Sequence, residues 1–233
     1  MRAKHELYTT IFHSVYVGLV ANVLLVVGCS PLVVCLVATD PARSWPLLAL
    51  VTPVCAPALV GVFAVFAAFT HGGSTAVLRT FGHAWLAAWR RTVVVAALAV
   101  AALEVLGVDM AWAWGRSVGA VAIPVLAMLM VLVVATGVLA MVVLAERPAV
   151  RLRDLVRASL YLAVRRWYLT AASLLVLLLL VQVVAARPGI GLGIVASPLL
   201  YVVWANSRFA LRPALDSQPS TAHSGGRAAA ARA

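Results

Sequence analysis

The sequence predicts an all-α protein, a bundle of six transmembrane helices. The first observation is composition: of 233 residues, 64% are hydrophobic and 11% are charged, whereas a soluble domain has about 25% charged residues. The second is a series of apolar runs of about the 20 residues that cross a bilayer core. The third is that basic residues cluster between alternate runs. The runs cover residues 15–38, 46–69, 92–114, 117–145, 168–187 and 189–210.

The individual runs differ in how clearly they predict a span. The first run starts too late and is too long for a cleaved signal peptide, so we expect it to be a membrane span. The third run is interrupted by Glu104 and Asp109. The fourth run is long enough to tilt or to continue past the bilayer.

The distribution of basic residues predicts the orientation. One side of the six runs carries 15 Lys and Arg, whereas the other carries only Arg43, Arg116 and Arg187. Because basic residues are retained on the cytoplasmic side, we expect both termini in the cytoplasm. The arginine-rich composition, with much Ala and Val, favours a bacterial cytoplasmic (inner) membrane. The net charge of +11 follows from this bias, so we expect anionic lipid and no nucleic acid as a partner.

Amphipathic segments before the odd-numbered runs indicate an internal repeat. Leu-Arg and Arg-Arg pairs recur after 74 and 75 residues, and each even-numbered run has a proline in its outer half. The spacing predicts three units, at about 4–69, 75–145 and 150–210, each with one interfacial helix and two spans. Coincidence between common residue pairs is the alternative. We expect one membrane domain over 1–212 and a disordered cytoplasmic tail over 213–233.

The amphipathic segments have one apolar face and one basic face. Helices of this kind lie in the membrane interface with their arginines toward lipid phosphates. The sequence therefore predicts a basic cytoplasmic interface formed by Arg79, Arg90, Arg91, Arg153, Arg157, Arg165 and Arg166.

Polar residues at membrane depth are the candidates for function, because they are unfavourable in a bilayer. Glu104 and Asp109 fit a proton or cation relay. The alternatives are that Glu104 bonds to a neighbouring helix, or that the span ends early and both carboxylates are wet, with Arg116 as an ion-pair partner. We expect the amides at membrane depth to hydrogen-bond across helices rather than to bind a substrate. These amides are Asn22, Gln182 and Asn206.

Prolines within the even-numbered runs predict helix kinks that free backbone carbonyl groups. They are Pro53, Pro57, Pro124 and Pro198. The sequence has no HExxH, GxSxG or Walker pattern and no acidic cluster for a divalent metal. Three cysteines without a CxxC spacing predict neither a disulfide framework nor a zinc site. We therefore expect no enzymatic activity, no metal and no cofactor.

Four segments share features with a known family: ANVLLVVGCSPLVV at 21–34, TPVCAPALVGVFAVFAAF at 52–69, LRTFGHAWLAAWRR at 78–91 and ASPLLYVVWANSRFALRP at 196–213. The chain resembles the YesL-like family of small bacterial membrane proteins, a domain family of unknown function. The family has an Asn-Leu-Leu pattern in its first span and Thr-x-x-x-x-Pro-Ala in its second. Ala56 replaces the usual glycine before that proline. The matching residues are Asn22, Leu24, Leu25, Thr52, Pro57 and Ala58.

Genes of this family often lie beside sugar-uptake operons, so the resemblance implies a role linked to carbohydrate import. We expect an accessory or regulatory partner of a carbohydrate or solute uptake system, with permease subunits as partners. The alternative is a small transporter or channel built from the three-unit repeat. A closed polar cavity around Glu104 favours the transporter, whereas an apolar core with an exposed groove on one flank favours the partner role.

Overall fold

A computed structural model describes residues 2–40, 43–72 and 76–216, and all regular elements within these ranges are helices. The predicted all-α class is confirmed. A π-helical turn (Gly191–Val195) lies between the last two α-helices. In chain order the α-helices are α1 (Arg2–Gly28), α2 (Ser30–Ala38), α3 (Trp45–Gly72), α4 (Val77–Ala113), α5 (Gly119–Glu146), α6 (Leu152–Arg165), α7 (Trp167–Ala186), α8 (Pro188–Ile190) and α9 (Ala196–Asp216).

Five helical stretches are long and apolar enough to cross a membrane. They are α3, α4, α5, α7 and the stretch formed by the π-helical turn with α9. A sixth is formed by α1 and α2 if this pair, bent by 63°, is one span. The architecture agrees with the predicted transmembrane helical bundle, with five spans or, if the bent pair is one span, with the predicted six.

The first predicted run contains a break that its apolar pattern did not predict. Cys29 separates α1 from α2 and adopts φ −96° and ψ 9°. Pro31 lies in the first turn of α2, where its missing N–H would be unpaired in any case. In an uninterrupted helix the ring of Pro31 would clash with the carbonyl of Val27, four residues earlier. The proline therefore favours a new helix start at this point.

The amphipathic segments are joined to their spans in different ways. α4 includes both the basic segment 78–91 and most of the run 92–114 in one helix of 37 residues. By contrast, α6 is a separate amphipathic helix, which ends before Arg166 at φ −115° and ψ 46°. The three-unit repeat stays a prediction.

α3 lies at the centre of the bundle, in contact with α1, α2, α4, α5 and α9. Two glycines allow this close packing. A Cβ atom on Gly28 would lie 2.5 Å from the Cβ of Ala58, and one on Gly61 would lie 2.6 Å from the ring of Phe81. Because neither glycine has a side chain, α1 and the beginning of α4 can both approach the middle of α3.

The four predicted kink residues all lie within helices, and none of them ends its helix. Pro53 and Pro57 are buried in α3, whereas Pro124 is exposed in α5. Pro198 is in the first turn of α9, directly after the π-helical turn. Among the described helix pairs that could together form one span, the one pair with a sharp bend has Pro31 beside the break.

Side-chain contacts bring several helix ends together at what we call the basic end of the bundle. Arg208 Nε of α9 lies 3.0 Å from Glu146 Oε1 at the end of α5, and its Nη2 contacts His71 Nε2 at the end of α3. Arg91 Nη1 donates to the carbonyl oxygen of Val150 at 3.1 Å. These segments are the ones that the charge distribution predicted on a common side of the membrane.

The end of the chain differs from the predicted tail. α9 continues to Asp216, so the first four residues of the segment 213–233 are helical. Residues 217–233 lie outside the described part of the chain, and the prediction for them stays a prediction.

Candidate functional site

A groove of about 610 Å³ lies between α1, the end of α3 and the beginning of α9. It opens on the flank of the bundle, and we call it the α1–α9 groove. Its walls are mostly apolar, with hydroxyl groups and one amide among them. The lining residues are Ser14, Val15, Val17, Gly18, Leu19, Asn22, Phe66, Phe69, Ile194, Ser197, Pro198, Tyr201 and Val202. Two residues predicted as functional candidates, Asn22 and Pro198, therefore meet at one site.

The contact between Asn22 and the π-helical turn has a clear physical origin. Pro198 has no N–H, so one carbonyl of the preceding turn loses its helical donor. Asn22 Nδ2 donates to the carbonyl oxygen of Gly193 at 2.9 Å. The side chain of Asn22 is only 3% exposed, and its Oδ1 finds no hydrogen-bond donor among the described residues. The site therefore holds a buried acceptor that remains unpaired.

Small residues make the groove narrow between α1 and α9. A Cβ atom on Gly18 would lie 3.5 Å from Ser197 Oγ, which is ordinary van der Waals contact. Ser197 itself is only 3% exposed. In membranes, small residues of this kind mark surfaces where helices approach closely.

Aromatic rings form the part of the groove nearest the basic end. Phe66 and Tyr201 pack edge to face with centroids 5.4 Å apart. The ring of His13 stacks on Phe69 with centroids 5.5 Å apart. These rings are stiff, and they give the groove a defined wall.

The predicted carboxylates Glu104 and Asp109 make no hydrogen bond and no ion pair with other residues in the described part of the chain. Glu104 is half-buried and Asp109 is exposed, and neither lines the α1–α9 groove. Arg116, their candidate ion-pair partner, instead places its guanidinium 4.2 Å from the ring centroid of Trp112. Gln182 is exposed on α7. Asp109 and Gln182 are therefore at the surface of the bundle, and Glu104 is half-buried.

Asn206 acts as the predicted bridge between helices. Its Nδ2 donates to the carbonyl oxygen of Leu169 and to Ser173 Oγ, both at 2.6 Å. The cavity beside it holds only about 10 Å³, the lower limit for one water molecule. Asn206 therefore ties α9 to α7 and has no room for a larger ligand.

The basic end contains a cluster that the sequence did not indicate. Arg208 lies between Glu146 and His71 and places its guanidinium 5.2 Å from the ring centroid of Trp204. Both members of the Arg208–Glu146 ion pair are mostly buried, at 22% and 16% exposure. The only sequence signal was the position of Glu146 at the end of an apolar run.

The arginines of the predicted basic interface divide into two groups. Some bind other parts of the chain: Arg91 bonds to the loop after α5, Arg166 Nη1 donates to Phe209 O at 3.1 Å, and Arg165 Nη1 donates to the Tyr161 hydroxyl at 2.9 Å. The second group is exposed and makes no hydrogen bond or ion pair with described residues. Its members are Arg79, Arg90, Arg153 and Arg157.

The described residues contain no group of three His, Cys, Asp or Glu side chains placed to hold a metal ion. The fold and the apolar helices define the chain as a multi-pass integral membrane protein. In comparisons with known proteins, the chain matches no family model, no curated protein and no solved structure.

Proposed function

We propose that the chain is a membrane-embedded accessory partner of a solute-uptake system and that a permease subunit docks in the α1–α9 groove. Carbohydrate is the proposed solute, because the sequence resembles the YesL-like family. The observation that carries the proposal is the open, mostly apolar groove on the flank of the bundle. The proposed site is the bacterial cytoplasmic membrane, with both termini in the cytoplasm, as the 15 basic residues on one side favour.

The placement of polar groups supports a partner role more than a transport path. A relay needs ionisable groups that face one another or a shared cavity. Glu104, Asp109 and Gln182 make no hydrogen bond or ion pair in the described part of the chain, and they line neither the α1–α9 groove nor a smaller groove between α4, α5 and α6. The buried side chains among the described residues are mostly apolar. The proposed role also needs no chemical step, in keeping with the expectation that the chain is not an enzyme.

The groove is suited to a transmembrane helix of the partner. Its small residues on α1, Ser14 and Gly18, allow a second backbone to approach closely. Asn22 Oδ1 is a buried, unpaired acceptor in the wall of the groove, and a Ser or Thr hydroxyl of the docking helix supplies a matching donor once a shift of that wall exposes the oxygen. A buried polar pair of this kind contributes about 0.6 to 1.7 kcal/mol in a membrane.

The test is purification of the tagged chain from its own host in mild detergent, with identification of the proteins that remain bound. Val202→Trp places a large ring at the exposed edge of the groove and should abolish stoichiometric recovery of permease subunits. Leu178→Trp is the matched control, because Leu178 is exposed on α7 and does not line the groove. This control should retain the partner.

Two outcomes contradict the proposal. One is recovery of the wild-type chain alone, intact and monodisperse. The other is equal loss of permease subunits in Val202→Trp and Leu178→Trp, because the effect would then not depend on the groove.

A second candidate function is a small solute transporter, and helix discontinuities favour it. Transporters bind substrate where broken helices meet. α1, which a break at Cys29 separates from α2, contacts the π-helical turn before α9, and Asn22 bonds to that turn. Proteoliposomes that contain the chain alone test this candidate: sugar uptake that Asn22→Leu abolishes supports a transporter and opposes an accessory role.

A further inference from the structure

We propose that a second groove, between α4, α5 and α6, binds one anionic phospholipid, with the lipid phosphate held by Arg153 and Arg157. This groove has a volume of about 290 Å³. It shares no lining residue with the α1–α9 groove, so the inference does not depend on the proposed partner role.

The shape of the groove fits an acyl chain. It extends along α5 from Ala140 to Leu129, eleven residues apart, which corresponds to about 16 Å of helix. The hydrocarbon core of one leaflet is about 15 Å deep, half of a ~30 Å bilayer core. The groove therefore has the length of a lipid tail that lies in one leaflet.

The lining also matches a hydrocarbon ligand. It is almost entirely aliphatic, and Thr136 provides its only polar side chain. Water has few partners in such a space. A lipid tail fills it and displaces no hydrogen bond, because Thr136 Oγ1 is already buried without a hydrogen-bond partner among the described residues.

α6 closes the end of the groove that is nearest the basic end. Val156 and Leu160 of α6 line it together with spanning residues of α4 and α5, and Leu155 packs into the core beside Leu144. α6 therefore packs against α5, and α4 provides the remaining wall of the groove.

The charge of α6 selects the headgroup. Arg153 and Arg157 share the helix face of Val156 and Leu160, since these positions are spaced by three or four residues. Both arginines are exposed, and neither has a hydrogen bond or an ion pair within the described ranges. A tail that enters between Val156 and Leu160 leaves its phosphate beside two unpaired guanidinium groups, which hold phosphate oxygens well. An anionic headgroup gains more from them than a zwitterionic one.

Native mass spectrometry of the full chain in detergent tests the proposal, with phosphatidylglycerol and phosphatidylcholine of the same acyl chains as probes. We expect the first phosphatidylglycerol to bind more tightly than the first phosphatidylcholine. The double variant Arg153→Gln with Arg157→Gln should weaken phosphatidylglycerol binding about twenty-five-fold, because each arginine near an anionic lipid contributes roughly five-fold. It should leave phosphatidylcholine binding unchanged.

Two further variants separate the headgroup from the tail. Arg79→Gln with Arg90→Gln removes the same charge from exposed, unpaired positions outside this groove and should change the first binding constant by less than two-fold. Ala102→Phe fills the deep end of the groove without altering charge and should weaken both lipids. Ala172→Phe, on an exposed position of α7, is its control and should weaken neither.

Three results overturn the proposal. Equal affinity for phosphatidylglycerol and phosphatidylcholine would show that the groove does not select an anionic headgroup. Equal losses in the two arginine pairs indicate general attraction to a basic protein surface. Unchanged binding in Ala102→Phe shows that no tail occupies the groove, and this result stands whether or not the double arginine variant folds.

Discussion

α3 and α7 are equally apolar but occupy opposite places in the bundle. Their spanning windows have nearly the same mean hydropathy, yet 61% of the α3 window is buried against 6% of the α7 window. The helices differ in side-chain size. Half of the ten residues over 55–64 in α3 are Cys, Ala or Gly, whereas the eight residues over 174–181 in α7 are all Leu or Val. Hydropathy therefore identifies a span, but side-chain volume decides whether it lies in the centre or faces lipid.

α9 reaches the centre in a different way. Its Trp204 is only 2% exposed, and its indole packs on Phe66 of α3 with ring centroids 6.3 Å apart. One large aromatic side chain thus fills the space left beside the small residues of α3. The exposed Leu and Val of α7 have no such partner.

The largest difference between the centre of the bundle and α7 is expected when a tryptophan in each is replaced by alanine. Trp204→Ala should lower the free energy of unfolding by about 3 to 5 kcal/mol, because it leaves a cavity in the core. Trp167→Ala should change it by less than about 0.5 kcal/mol, because Trp167 at the beginning of α7 is 71% exposed. Unfolding in detergent–denaturant mixtures measures both, and similar losses would mean that α9 is not part of the centre.

A larger side chain should also destabilise the protein more in α3 than in α7. Ala58 is fully buried against Gly28, so Ala58→Leu should destabilise by about 1 to 3 kcal/mol through overpacking. Ala172→Leu makes the same change at an exposed position of α7 and should be neutral. Thermal unfolding in the same detergent measures the pair. A neutral Ala58→Leu would contradict the close contact of α1 with α3.

A single methyl group should have opposite effects at a buried glycine and at a half-buried glycine that has open space beside it. Gly61→Ala should destabilise by about 1 to 2 kcal/mol, since its Cβ would lie 2.6 Å from the buried ring of Phe81. Gly107→Ala in α4 meets no atom within 4 Å and should stabilise by up to about 1 kcal/mol through helix propensity. A lower melting temperature for Gly61→Ala and a higher one for Gly107→Ala would support the comparison, and changes in the same direction would oppose it.

The smallest effect is expected for the polar tie between α7 and α9. Asn206→Leu removes two hydrogen bonds to α7 and should destabilise by about 0.6 to 1.7 kcal/mol. Gln182→Leu, which removes an exposed amide on α7, is the control and should have no destabilising effect. If Asn206→Leu is also neutral, α7 is held only by apolar packing.

The positions of the spans could be predicted from hydropathy alone. The runs 46–69 and 117–145 correspond closely to α3 and α5, which end at Gly72 and Glu146. The break at Cys29 was missed, because Pro31 interrupts the helix without interrupting the apolar pattern. The union of 78–91 with the following run into α4 was missed for a related reason, since a change from amphipathic to apolar sequence does not end a helix.

The candidate site was predicted in part. Asn22 and Pro198 were identified separately, but nothing in the sequence related two residues that lie far apart in the chain. The carboxylates Glu104 and Asp109 were better candidates by charge, and the structure leaves them apart from both grooves. Charge identifies residues that are unfavourable in a bilayer, but it does not indicate which of them face one another.

The sequence by itself determined that the chain is helical, where its spans lie and which segments share the basic end. These properties follow from local hydrophobicity, from the need to pair backbone groups within each span, and from the charge of the connecting segments. Only the tertiary structure decided that α3 is central and α7 peripheral, that Asn22 bonds to the turn before Pro198, and that α6 closes a second groove. Those properties depend on which side chains of distant helices fit together. Lipid tails are as apolar as Leu or Val side chains, so hydrophobicity alone does not determine which helix packs against which.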